Sequence, residues 1–274
     1  MPKRGPFPEL QDCREAQILW AASNKEYSCE TGTPQKAAKP AGSKMMRSGI
    51  RVLTFGAVAA GLVMFAAFNS RAKAPRANTS FPRPALDQPV AATKGKEVAV
   101  ISGGCFWGIQ AVYEHTKGVI SATSGYAGGT ADTAQYETVS SGKTAHAESV
   151  RVVFDPSEIT YGQVLMIFFS VAHNPTELNK QGPDWGTQYR SSIFYGNADQ
   201  KKIAEAYITQ LNAAKVYSNK IMTQVVPLNN AFYPAEGYHQ DYLKHHTDNP
   251  YIVINDLPKI QNLKKQFPEL YREY

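Results

Sequence analysis

From residue 97 onward the apolar positions alternate between two rhythms. Glu97-Val98-Ala99-Val100-Ile101 is short and β-branched and predicts a strand. Ser102-Gly103-Gly104 breaks it, and apolar residues return at helical spacing with Phe106, Ile109, Val112 and Tyr113, until Gly118 after Lys117 closes the helix. A second strand is predicted over 119–126, running into a glycine-rich loop, 125–129, that lacks the Gly-Lys-Ser/Thr ending of a phosphate loop. Next come a strand over 147–154, a turn at Asp155-Pro156-Ser157, and a helix over 161–172 carrying Leu165, Ile167, Phe168, Phe169 and Val171. A long loop over 173–189 leads to a strand at 190–195, a helix at 198–214, a strand at 221–227 and a last helix at 236–246. Strands and helices alternate, but the connections are uneven and several are of hairpin length. That favours an α+β fold, a two-layer sandwich with a mixed β-sheet, over a doubly wound one.

Ahead of residue 95 the pattern is different. An apolar run over 52–68, rich in Ala, Gly, Val and Phe, follows Lys44, Arg47 and Arg51 and precedes Arg71, Lys73 and Arg76. Its 17 residues are long for a signal core and short for a spanning helix. The expectation is a polar, disordered segment at 1–44, a signal-anchor or transmembrane segment at 45–68, a Pro/Ala-rich linker at 69–94 and a catalytic domain at 95–274. The chain is then membrane-anchored or exported through residues 47–68, with the side of the membrane left open by basic residues on both flanks. Met45-Met46 opens a more ordinary targeting sequence than Met1 does.

Charge supports the division. Lys and Arg outnumber Asp and Glu by 14 to 6 over 1–94, but are outnumbered 15 to 17 over 95–274, so the formal +6 comes wholly from the front piece. The folded part is slightly acidic and has no basic surface for phosphate, which excludes nucleic acid as a partner.

Cys105 is the only cysteine among the last 180 residues; Cys13 and Cys29 lie in the front piece. It sits between strand, glycine turn and helix, where the orphan amides and positive dipole end of the helix would lower its pKa and favour thiolate. A buried structural cysteine is the plainer alternative, which flanking glycines weigh against by opening room for another group. In the strand at 147–154 a period of two puts Glu148 on the same face as Val150, Val152 and Phe154. A carboxyl pointing to the apolar side has its pKa raised, as a proton donor near neutral pH requires. His173, His239, His245 and His246 include no His-x3-His pair, and no second cysteine accompanies them, so no metal site is expected. A cysteine hydrolase dyad with one of these histidines remains open from spacing alone.

Gly-Cys-Phe-Trp-Gly (104–108), Gly-Tyr-Ala-Gly-Gly (125–129), His-Ala-Glu (146–148), Asp-Trp-Gly-Thr-Gln-Tyr-Arg-Ser (184–191) and Phe-Tyr-Pro-Ala-Glu-Gly-Tyr-His-Gln-Asp-Tyr-Leu (232–243) stand in one order. Together they resemble the class A peptide-methionine sulfoxide reductases. The resemblance covers about residues 97–246 and implies a ferredoxin-like core with long loops. It also implies that Cys105 attacks the sulfur of a methionine-S-sulfoxide, protein-bound or free, and becomes a sulfenic acid. Glu148 would protonate the departing oxygen, with Tyr136 and Tyr189 as phenolic donors. Asp184 would order the loop or bind the substrate amide through water, and Phe106 and Trp107 would hold the ε-methyl group. No cofactor is implied.

Many members of that family carry a resolving cysteine in a glycine-rich tail, whereas this chain ends Leu270-Tyr271-Arg272-Glu273-Tyr274. Recycling by an outside thiol is therefore expected, with glutathione, glutaredoxin or a thioredoxin as reductant. A catalytically silent module that recognises oxidised methionine would keep the aromatic pocket and be indifferent to Cys105→Ser.

Overall fold

The computed structural model describes residues 81–229 and 231–274. The strands are β1 (Glu97–Ser102), β2 (Val119–Ala127), β3 (Ala147–Phe154), β4 (Lys180–Gln181), β5 (Asp184–Trp185), β6 (Ser192–Tyr195), β7 (Gln224–Pro227) and β8 (Phe232–Pro234). The helices are α1 (Phe106–Glu114), α2 (Tyr136–Ser140), α3 (Tyr161–Ile167), α4 (Ala198–Ala213), α5 (Tyr242–His245) and α6 (Leu257–Gln266). A π-helical turn, Phe168–Ala172, continues α3, and another, Ile252–Asp256, leads into α6.

Six strands form one sheet in the order β7-β6-β1-β3-β2-β8. Every pairing is antiparallel except β6 with β7, so the sheet is mixed, as the uneven connections predicted. The period-two pattern decides which face each side chain takes. Val150, Val152 and Phe154 of β3 and Ala99 and Ile101 of β1 join the main core, together with the buried residues of α1, α3, α4 and α6. Val100, Ala127, Ala147 and Phe194 form a small second cluster on the other face. The helices thus share one face of the sheet, and Glu148 points toward them.

At the N-terminus of α3 the amides of Thr160, Gly162 and Gln163 all meet side-chain acceptors. Thr160 accepts from the Gln163 N–H at 3.2 Å while the Gln163 side chain accepts from the Thr160 N–H at 3.0 Å, a reciprocal box. Asp87 takes the next free amide, accepting from the Gly162 N–H at 2.8 Å, and also accepts from the Thr160 hydroxyl at 2.5 Å. Residues 81–94, the described part of the stretch expected as a linker, form no helix or strand, yet are fastened along the domain. Tyr207 donates to the Pro82 carbonyl, Gln210 to the Arg83 carbonyl, and the Ala91 N–H to Pro156.

Three stretches depart from the sequence expectation. The helix expected over 236–246 is a 3-10 turn, Gly237–His239, and the short α5, separated at Asp241 with φ of +54°. Gln240 directs its side chain back to Ser124 and Ala235, anchoring the break to β2. The expected long loop contains the β4–β5 hairpin and a 3-10 turn, Thr187–Tyr189. Finally, β2 continues one residue past the expected strand end into the glycine-rich stretch: Ala127 pairs with Phe232 of β8 and Gly125, within the expected strand, with Pro234, where a Cβ would strike the Phe232 ring.

Among the described residues no helix is long and apolar enough to cross a membrane. The apolar run, Cys13 and Cys29 lie outside the described residues.

Candidate active site

Cys105 occupies the N-cap of α1, in extended backbone with φ −53° and ψ 126°. Gly104 before it takes φ +99°, a left-handed turn that glycine makes without strain, and its bare α-carbon lets the Gln181 side chain of β4 press close. The side chain at the N-cap position makes no capping hydrogen bond of its own. The Phe106 N–H donates to Glu148 Oε2 at 3.2 Å, and the Trp107 N–H is directed at the Cys105 thiol. The first two amides of α1 are therefore divided between a carboxyl group and a thiol.

The thiol does not follow the sequence expectation of a lowered pKa. Burial, then the charges of Glu148, Asp256 and Asp184, push it well above its ordinary value, and the Trp107 amide only partly offsets them. The helix-end effect is present, but desolvation and three carboxyl groups outweigh it. Glu148 matches the expectation. It is 3 % exposed, on the helix-facing side of β3, and burial pushes its carboxyl up to about 8, aided by Asp184 and opposed by the Phe106 amide. At neutral pH the resting site holds a proton on both Cys105 and Glu148.

The other expected residues gather around this pair. Tyr189, at the end of its 3-10 turn, interacts with Glu148, Cys105, Asp184 and Tyr136, and burial keeps its hydroxyl protonated far above the ordinary phenol range. Asp184 of β5 accepts from the Tyr251 hydroxyl at 2.5 Å; burial raises its carboxyl to about 6, against that hydrogen bond and Lys259. Tyr136 opens α2, its N–H held at 2.9 Å by Glu236, whose other oxygen accepts from Tyr126. Phe106 and Trp107 are buried. Trp107 stacks on Tyr242 at 3.7 Å and meets Tyr251 edge-on at 6.1 Å, while Phe106 packs on Tyr126 and His239.

Sequence reasoning missed Tyr251, Asp256, Lys259 and Glu236. The first three come from the segment after residue 246, to which no element had been assigned. Pro258 near the start, Ile260, Leu263 and Phe267 at helical spacing, and Lys264-Lys265 in the last turn are the signals that mark α6. Asp256 and Lys259 form a buried ion pair at 2.9 Å. The pair lies against α1 where Gly108 has no side chain: a Cβ there would stand 2.8 Å from Lys259 Nζ and closer still to Asp256.

Two histidines pack beside the residues that flank Cys105. His173 engages the Phe168 carbonyl at 3.0 Å and the Ser191 hydroxyl at 2.7 Å, and burial lowers its pKa to about 3. His239 accepts from the Trp107 indole at 3.3 Å and is lowered to about 4, again chiefly by burial. Among the described residues no hydrogen bond joins Cys105 to a histidine, so nothing here supports the hydrolase dyad. Among the described residues no three His, Cys, Asp or Glu side chains gather as a metal site.

Fold and site together place a thiol at a helix N-terminus, a protonated carboxyl beside it, phenols around both and an aromatic wall. Residues 97–271 match the family described as peptide methionine sulfoxide reductase. The chain is 58 % identical over 182 residues to a peptide methionine sulfoxide reductase MsrA 2 of Mesorhizobium japonicum, covering 66 % of this chain and 93 % of that one. It is 47 % identical over 190 residues to its namesake in Synechocystis, covering 69 % and 88 %. Among solved structures, methionine sulfoxide reductase A of Corynebacterium diphtheriae matches with a TM-score of 0.50 at 34 % identity, over 61 % of this chain and 82 % of that one. The reduced form of Mxr1 from Saccharomyces cerevisiae also matches with a TM-score of 0.50, at 31 % identity, over 59 % and 94 %. The chain belongs to the class A peptide methionine sulfoxide reductase family and is an oxidoreductase.

Proposed function

We propose that the chain reduces methionine-S-sulfoxide, protein-bound and free, through a Cys105 sulfenic acid that an external thiol recycles, and so repairs oxidative damage. The observation that carries this is the shared N-terminal turn of α1, which brings the Cys105 thiol and the protonated Glu148 carboxyl to adjacent amides. A sulfoxide sulfur is a poor electrophile until its oxygen is protonated, so nucleophile and acid must act on neighbouring atoms.

In the first step Cys105 attacks the sulfoxide sulfur while Glu148, backed by Tyr136 and Tyr189, gives the oxygen a proton. The oxygen then passes to the cysteine sulfur: methionine leaves reduced by two electrons, and Cys105 becomes sulfenic acid. An outside thiol condenses with it, releasing water and forming a mixed disulfide, and a second thiol restores Cys105. Glutathione, glutaredoxin or a thioredoxin can serve. Phe106 and Trp107 hold the ε-methyl group, which fixes which lone-pair face of the sulfur meets Cys105 and hence which epimer reacts; Asp184 orders the loop beside the substrate amide.

The same reading takes the inner strands, in the order β6-β1-β3-β2 with α1 and α3 as crossovers, as a ferredoxin-like core. It also takes residues 47–68 as a membrane anchor or export sequence, which fractionation of the expressed chain tests.

Turnover of the separated S and R epimers of a methionine sulfoxide peptide, with dithiothreitol and chromatography of the methionine formed, is the deciding experiment. Reduction of the S epimer alone, abolished by Cys105→Ser, is the expected result. A folded, fully reduced chain that turns over neither epimer would remove the proposal and leave a binding module.

A further inference from the structure

Cys105 lies among groups that oppose its ionisation. Three carboxyl groups act on it, Glu148 from β3, Asp184 from β5 and Asp256 from the turn before α6. Tyr189 and Tyr251 also interact with it, with Tyr136 behind Tyr189. The nearby imidazoles of His173 and His239 are neutral and bring no positive charge. The cation in this neighbourhood is Lys259, on whose charge Cys105 acts; its ammonium is 16 % exposed and hydrogen-bonded at 2.9 Å to a carboxylate with no exposure at all. Burial works against the Lys259 charge, but Asp256, then Cys105 and Asp184, hold it in place.

Its location is built in. Gly108 lies three residues after Cys105, on the turn of α1 that opens at the thiol, and a side chain there would collide with the ion pair. Asp256 fixes the ammonium through one oxygen, while its second oxygen is buried with no hydrogen-bond partner. A buried pair of this kind contributes little net stability, because desolvation offsets the attraction between the charges.

We propose that Lys259 is a positioning residue for charge: docked over Gly108 by Asp256, it stabilises the Cys105 thiolate at the moment of attack. An opposite charge at a dehydrated site acts through a low dielectric, and the gain falls on the ionised sulfur alone. Asp256 then has two opposed effects, holding the ammonium in place while its own charge disfavours the thiolate.

The inference rests on Cys105 being the nucleophile proposed above, but its test needs no sulfoxide. In the full chain, the rate at which iodoacetamide alkylates Cys105 is followed from pH 6 to 10 by mass spectrometry of the peptide that contains it. Lys259→Met is expected to move the profile to higher pH and slow alkylation at pH 7 by about tenfold, one pKa unit being tenfold in thiolate. Lys259→Arg restores most of the rate. Asp256→Asn, which leaves the ammonium unbalanced, is expected to move the profile the other way and speed alkylation several-fold. Shifts of opposite sign support the proposal, because a pair that only holds α6 against α1 would loosen in both variants and move them together. A Lys259→Met profile that overlays the wild type overturns it. If that variant does not fold, an Asp256→Asn profile that is unmoved or slowed does the same. A chain that reduces no sulfoxide yet shows the opposed shifts would refute the function and keep this inference.

Discussion

Two helix N-termini in this molecule treat the same problem in opposite ways. At α3 the orphan amides meet Thr160, Gln163 and Asp87, and each partner is a full hydrogen bond. At α1 the N-cap residue is Cys105, which makes no side-chain cap, and the amides of Phe106 and Trp107 face a carboxyl group and a thiol that are both protonated at rest. A free helix end draws negative charge. At α3 that end meets the Asp87 carboxyl, and at α1 it meets a carboxyl and a thiol whose ionisation burial opposes. The difference separates an end closed by a reciprocal capping box from one whose amides meet a protonated acid and a thiol.

Changes at the two ends should therefore separate activity from stability. The largest effect is expected from Glu148→Gln, which keeps an acceptor for the Phe106 amide but removes the acid. Sulfoxide reduction should fall at least about 100-fold, the low end of general-acid contributions, with folding intact. Wild-type turnover should decline as the pH passes about 8 and Glu148 loses its proton, a limb absent from the variant's profile.

The same substitution should stabilise the protein in alkali. Glu148 titrates near 8 in the fold, against 4.5 without burial, so between those values the folded state holds a proton that the unfolded chain has lost. Wild-type stability then falls as pH rises through that window. Glu148→Gln lacks this slope, so its advantage in urea denaturation should grow from pH 5 to 8 and level off by pH 9 at about 5 kcal/mol, about 1.36 kcal/mol for each of the 3.5 pH units between the two values.

At the other helix end, Thr160→Ala should cost about 1 kcal/mol by urea denaturation and leave kcat unchanged. The smallest expected effect tests α1 directly. Cys105→Ser puts a strong capping residue at the N-cap and should raise stability by about 0.5 kcal/mol while abolishing turnover. A loss of stability in Cys105→Ser would break the comparison.

Much of this was legible in the sequence because the relevant signals are local. The β-branched run at 97–101, the helical spacing from Phe106 and the strand at 147–154 each declare their period, and that period alone turned Glu148 inward beside the helix that bears Cys105. The sign of the thiol shift was not legible. It depends on Asp184 and Asp256, which lie 79 and 151 residues further along and reach Cys105 only through the tertiary fold. The helix expected at 236–246 failed for a similar reason: Gln240 and Asp241 engage Gln110 and Ser124 across the fold, and those bonds favour a break over a continuous helix. Lys259 was hidden because α6 has a low mean hydropathy and buries only Leu263 fully, so its helical spacing was passed over for want of apolar residues.

The proline-rich strap also sets where the chain can be cut. Cleavage ahead of residue 81 would leave the Pro82 and Arg83 carbonyls on α4 and the Asp87 carboxylate on α3. Trimming to residue 95, where the compositional shift falls, would strip the Gly162 amide of its acceptor and uncover Tyr207. A truncated protein intended for handling should begin at the strap: the fourteen residues 81–94, although they contain no helix or strand, belong to the smallest fragment that keeps its seams closed.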